Sequence, residues 1–173
     1  RLRTAQFQIL NLLDLSYSNG KKSQLRHITD LKISEPFSEL LFNPVKRSIG
    51  LFMAELIQHC IKEEEKNVPL FNFLYNSIHW LDLSKKNCTH FHLYFMMKFT
   101  KHLGFSPMLD GHHEKGYFDL QQGAFSNFKP SHSYYIEADE LNRWKELLNC
   151  NLENLDKLKF SNKLKRRMVQ ALI

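Results

Sequence analysis

Between residues 6 and 17 the chain alternates: Phe7, Ile9, Leu13, Leu15 and Tyr17 share odd parity, and only Asn11 breaks the set. A period of two places such side chains on one face of a strand. The run Ser18-Asn19-Gly20-Lys21 predicts a tight turn, since Asn and Gly tolerate the positive φ it needs, and a second strand over 24–33 completes a hairpin. Two strands alone are marginal. The hairpin is therefore expected to pack on elements later in the chain or to belong to a larger sheet.

After Glu35-Pro36 the period lengthens. Asn43-Pro44 supplies a cap and a first-turn proline, and Val45, Ile49, Phe52, Met53, Leu56, Ile57, Cys60 and Ile61 come after it at spacings of three and four. This predicts a helix ending in the charged run from Lys62 to Asn67. Pro69 opens a second helix, with Leu70, Phe73, Leu74, Ser77, Ile78 and Leu81 inward. A third, over 88–103, carries Phe91, Leu93, Tyr94, Phe95, Met96, Met97 and Phe99 and is apolar on nearly every side, so it must be wrapped by other elements. Gly104-Phe105-Ser106-Pro107 stops it.

A strand-turn-strand element is expected within 117–128, a fourth helix over 137–148 with Leu141, Trp144, Leu147 and Leu148 inward, and a last helix capped by Ser161. In that last helix Leu164, Met168, Ala171 and Leu172 form the apolar side, against Lys163, Lys165, Arg166 and Arg167. The fold class is mainly α: a helical bundle with a small inserted β element, preceded by a β-hairpin. Short connections favour antiparallel neighbours, and no internal repeat or low-complexity tract intervenes.

Composition narrows the function. Of 173 residues, 43% are hydrophobic and 24% charged, which fits a folded chain and not a disordered one. No run approaches the roughly 18 apolar residues of a membrane span, and no secretory pattern is present, so a cytosolic location is expected. Because Arg1 and not Met opens the sequence, further residues are expected at both ends of the parent protein. Cys60, Cys88 and Cys150 are far apart and odd in number, as for reduced, mostly buried thiols. The net charge of +6 and pI near 9.2 favour polyanionic partners.

Nine histidines raise a metal hypothesis, and with it a metal-dependent hydrolase using Cys88, His92 and the loop run His112-His113-Glu114. Zinc needs three or four converging ligands, which neither group supplies alone, and there is no His-Glu-x-x-His or Cys-x-x-Cys. Nor is there a Gly-x-Ser-x-Gly elbow or a glycine-rich phosphate loop. Neither a catalytic site nor a cofactor is expected. The basic residues instead gather at Arg1, Arg3, Lys21, Lys22 and Arg26 and again at Lys157, Lys159, Lys163, Lys165, Arg166 and Arg167, a pattern suited to phosphates beside aromatic side chains, with Lys163, Arg166 and Arg167 the candidates of the second group. Lys46, Arg47 and Phe52 on the first helix are candidates for drawing an acidic peptide tail into an apolar groove.

The succession LKISEPFSELLFNPVKRSIGLFMAELI, PLFNFLYNSIHWLD, FHLYFMMKFTKHLGFSPMLD and YFDLQQGAF resembles the RecO family of bacterial recombination mediators, especially its Bacteroidetes-like members. The resemblance implies that residues 1–34 are the closing strands of an N-terminal OB-fold, most of it missing here, and that 35–173 form the helical domain with a loop insertion at about 105–130. Many members hold zinc with four cysteines in that loop. Residues 110–128 contain none, so packing of Tyr117, Phe118, Leu120 and Phe125 is expected to hold the loop, without zinc. The implied activity is binding of single- and double-stranded DNA and annealing of strands coated with single-stranded-DNA-binding protein, whose acidic C-terminal tail it engages. It also implies partnership with RecR, loading of RecA, and a cytoplasmic, nucleoid-associated location. A helical protein-interaction domain that touches no DNA is the alternative.

Overall fold

A computed structural model describes residues 6–19, 26–62, 65–105 and 116–173. They fall into two compact units, Arg1–Lys85 and Lys86–Ile173. Among the described residues the chain is mainly α, with one small antiparallel sheet in each unit.

The first unit opens with a hairpin of β1 (Leu12–Asn19) and β2 (Arg26–Glu35). The alternation that suggests a strand from residue 6 is broken by Leu10, whose left-handed φ of 64° and the Asn11 N–H bond to the Gln8 carbonyl turn the backbone. Nor does a tight turn occupy Ser18 and Asn19. The ladder runs through both, pairing them with His27 and Arg26, and Gly20 and Lys21 lie outside the described residues. Leu31 is buried in this hairpin, whereas Leu15, Tyr17, Ile28 and Ile33 are exposed.

Helices α1 (Pro44–Cys60) and α2 (Val68–Leu83) come next. The Asn43 side chain accepts from the N–H groups of Val45 and Lys46, and that of Asn67 accepts from Leu70, so both helices start where a capping residue precedes a proline. On α1 the buried line is Lys46, Gly50 and Met53. Ile49, Phe52, Leu56 and Ile57 are only half-buried, and Val45 and Cys60, expected inside, are exposed.

One carboxylate organises this unit. Asp82, buried near the end of α2, accepts from Ser38 N–H and Oγ at 2.9 Å each, Glu39 N–H at 2.8 Å and Leu40 N–H at 2.6 Å. The same corner holds Lys46, whose Nζ donates at 2.7 Å to the carbonyls of Asp82 and Ser84 and to Glu39 Oε2. The irregular segment before α1 is thereby tied to the end of α2. Beside it, Glu35 of β2 accepts from the Tyr75 hydroxyl at 2.6 Å.

The second unit is built around α3 (Phe91–His102), β3 (Tyr117–Asp119), β4 (Ala124–Ser126), β5 (Tyr135–Glu137), α4 (Ala138–Asn149) and α5 (Asn162–Leu172). Its core joins Leu93 and Met97 of α3, Phe118 and Ile136 of the sheet, Leu141, Trp144 and Leu147 of α4, Phe160, and Met168 of α5. The sheet order is β4-β3-β5, all antiparallel. Beyond the expected strand-turn-strand element it gains β5, whose last residue, Glu137, immediately precedes α4. Gly116 is obligatory here: its φ is +119° and a Cβ would stand 2.6 Å from the Ser126 carbonyl oxygen.

Burial alone would raise the Asp82 carboxyl, but the N–H groups of Ser38, Leu40 and Glu39 and the Ser38 hydroxyl outweigh it and hold the group below the ordinary carboxylate range. Its stabilising effect is therefore complete above the unfolded value, about 4, and is lost as pH falls through the lower folded value. Asp82→Ala, which strands buried donors, is expected to cost about 3–5 kcal/mol in urea unfolding at pH 7. The gap between variant and parent should narrow below about pH 4; an equal gap at pH 7 and pH 3 would contradict this account of the corner.

Candidate nucleic-acid interface

The basic cluster near the C-terminus lies on α5. Ser161 Oγ accepts from Leu164 N–H at 3.2 Å, and Met168, with Leu164, Ala171 and Leu172, packs into the core. This fixes which positions face outward. Lys163 and Arg166 are exposed, and among the described residues neither has a carboxylate within ion-pair distance. Arg167 is engaged: its guanidinium donates to Glu140 Oε1 at 2.8 Å and lies 3.7 Å from Glu137 Oε2. Burial pushes the Glu140 carboxyl above its usual range, against the pull of Arg167.

No acidic residue occupies the first turn of α5. Cations there oppose the helix dipole and do not help the helix form. Their positive potential instead adds to that of the free N-terminal N–H groups, which suits an anion. Near this end a cavity of about 490 Å³ is lined by Asn87, Thr89, His90, Asp156, Lys159, Ser161 and Lys165, among others. Burial and the neighbouring Lys165 hold His90 below the ordinary imidazole value, although its Nε2–H donates to the Leu158 carbonyl at 3.0 Å. The cavity therefore sets Lys159 and Lys165 beside His90, with the Asp156 carboxylate also on its wall.

The other basic cluster is on the hairpin. Arg1, Arg3, Lys21 and Lys22 lie outside the described residues. Arg26, at the last described pair of the ladder, has its guanidinium 4.9 Å from the centroid of the exposed Tyr17 ring. The guanidinium over the ring makes a cation–π contact between two exposed side chains.

The three partner candidates separate. Arg47 is exposed on α1 with the exposed Phe42 and Val45 nearby in sequence, and Phe52 is half-buried. Lys46, expected to guide an acidic tail, is turned inward at 4% exposure, its ammonium occupied by Glu39 and two carbonyls. Periodicity could not reveal this, because a lysine is assigned outward unless its acceptors, here up to 38 residues away, are known.

The inserted sheet is held as its aromatic residues suggest, with Phe118 buried and edge-on to Phe125 at 4.9 Å and Tyr117 edge-on to Tyr135 at 5.3 Å. A second support comes from Asp119. It accepts from Gln121 and Gln122 N–H at 2.8 and 3.0 Å and from His132 Nε2 at 3.2 Å. Burial would raise this carboxyl, but the N–H groups of Gln122 and Gln121 and the His132 ring bring it below the ordinary range. Among the described residues no three His, Cys, Asp or Glu side chains converge. His112, His113 and Glu114 fall outside them. No described helix is long and apolar enough to cross a membrane.

Lys46→Met should lower the urea midpoint by the equivalent of about 3 kcal/mol, because it leaves buried acceptors unpaired, while Arg47→Ala should stay within about 0.5 kcal/mol of the parent. Equal midpoints for the two variants would show that Lys46 is a surface residue after all.

Comparison with known proteins agrees with the family resemblance. The family described as "Recombination protein O C terminal" matches residues 41–173. The DNA repair protein RecO of Bacteroides fragilis is 36% identical over 155 residues, covering 89% of this chain and 64% of the relative. That of Azobacteroides pseudotrichonymphae is 30% identical over 167 residues, covering 96% and 69%. The RecO of Christiangramia forsetii is 28% identical over 173 residues, or 100% of this chain and 71% of the relative. The chain thus spans roughly two thirds of the length of these bacterial DNA repair proteins. With its helical second unit and the match over residues 41–173, it belongs to the RecO family.

Proposed function

We propose that the chain acts in bacterial DNA repair and recombination as a binding protein that makes and breaks no covalent bonds. It binds single- and double-stranded DNA, anneals complementary strands coated with single-stranded-DNA-binding protein, and works with RecR in loading RecA. Residues 1–34 are then the last strands of an OB-fold, and the location is cytoplasmic and nucleoid-associated. The observation that carries the reading is the pair of outward cations, Lys163 and Arg166, at the start of a helix with no acidic first-turn residue, in a chain of net charge +6.

Annealing requires that phosphate repulsion be screened and that the coating protein be displaced. Lys163 and Arg166, and Arg26 beside Tyr17, serve the first need, with Arg1, Arg3, Lys21 and Lys22 continuing the hairpin cluster. Arg167 contributes only the part of its charge that Glu140 and Glu137 leave over. Arg47, with Phe42, Val45 and Phe52, is the candidate for engaging an acidic, apolar-ended tail, now without Lys46. That surface also supports the second reading, recruitment of a protein without DNA contact.

Binding of labelled single strands by this chain is expected to weaken with salt, and Lys163→Ala with Arg166→Ala should flatten log K against log salt by about 0.7 per side chain. Failure to bind strands at low salt, with the tail of single-stranded-DNA-binding protein still captured, would favour the second reading.

A further inference from the structure

The second unit holds another cavity, of about 400 Å³, that neither the phosphate contacts nor the tail-binding surface uses. Its wall includes Tyr134 from just before β5, Glu140 and Trp144 of α4, and Arg167 and Gln170 of α5. We propose that this cavity receives one unstacked base of a single DNA strand, held over Tyr134, while Lys163 and Arg166 take the flanking phosphates. The proposal rests on the DNA-binding reading above and names the part of the ligand that enters the protein.

The lining has the right chemistry. The Arg167 guanidinium is already shared between Glu140 and Glu137, so the cavity offers no spare positive charge and disfavours a carboxylate-ended peptide. A neutral, planar ligand with both donors and acceptors suits it better. Glu140 can accept from an exocyclic amine, as acidic side chains do from cytosine N4. Gln170 can donate and accept. Trp144 is 1% exposed and its indole N–H has no acceptor, a buried donor of the kind that usually has one. Trp144 lines the cavity, and a base carbonyl bound there would supply one.

Tyr134 is placed as a stacking platform. The residue is 44% exposed, yet its backbone is fixed on both sides: the N–H donates to His132 Nδ1 at 3.2 Å and the carbonyl accepts from Leu120 N–H at 3.0 Å. His132 is in turn held by Asp119 at 3.2 Å. The Asp119 support therefore positions the cavity rim as well as the sheet. On α5, Lys163, Arg167 and Gln170 fall at i, i+4 and i+7 on one face. At 1.5 Å per residue, Lys163 lies about 10 Å along the axis from Gln170, within reach of phosphates next to a bound base.

The test titrates this chain with labelled strands of equal length: oligodeoxycytidine, oligothymidine and a fully abasic strand. Cytidine is expected to bind at least about fivefold more tightly than the abasic strand, the lower end of what one stacked base contributes, with thymidine between them. Tyr134→Ala should shrink the cytidine-over-abasic preference by about fivefold, whereas Lys163→Ala should weaken all three alike. Photo-crosslinking with 5-iododeoxycytidine should map to Tyr134 or Trp144. Equal, salt-dependent binding of cytidine and abasic strands, or crosslinks confined to Tyr17, would overturn the base cavity and leave DNA binding standing. No binding of any strand would overturn both.

Discussion

Burial of the Asp82 carboxylate is the constraint on which the first unit depends. A carboxylate out of water is costly unless its lone pairs are filled, and here three successive N–H groups and a hydroxyl fill them. Those groups belong to the non-helical segment at Ser38 to Leu40, which has no ladder or helix to satisfy it. Carboxylate and segment each supply what the other lacks. Lys46 then caps the carbonyls of Asp82 and Ser84 that the end of α2 leaves open. The second unit repeats the device on a smaller scale, with Asp119 holding the turn after β3 and, through His132, the approach to β5.

This use of charge divides the basic residues of the chain into two kinds. Lys46, Arg167 and Lys98, whose Nζ donates to the Leu148 carbonyl at 2.7 Å, hold the fold. Lys163 and Arg166 have no such role and concentrate positive potential at the start of α5. A net charge of +6 does not itself locate a ligand. Setting aside the cations already committed to carbonyls and carboxylates narrows the choice to those that are solvated or paired with something outside the chain. Lys163 and Arg166 are two of the exposed cations that remain after that subtraction, and the proposed interface is built on them.

Much of the fold was legible in the sequence because its signals are local. Asn43-Pro44 and Ser161 mark helix starts through their own side chains, and the apolar spacing of α4 and α5 reports their inward faces directly. The Gly104 stop and the aromatic run of β3 and β4 were equally readable. The features that escaped depend on partners distant in sequence. Lys46 reads as surface until Ser84 is placed beside it, Arg167 reads as free until Glu140 is, and β5 pairs with a strand whose neighbour in sequence is β4. The opening alternation misled for another reason: Leu10 adopts a left-handed conformation that parity alone cannot exclude.

Lysine reactivity separates the two kinds of cation in one measurement. Amine labelling of this chain, with and without single-stranded DNA, should find Lys46 unreactive in both states, and Lys163 reactive when free and protected when bound. A Lys46 that labels readily and is shielded by DNA, with Lys163 unchanged, would contradict the division of charge on which this account stands.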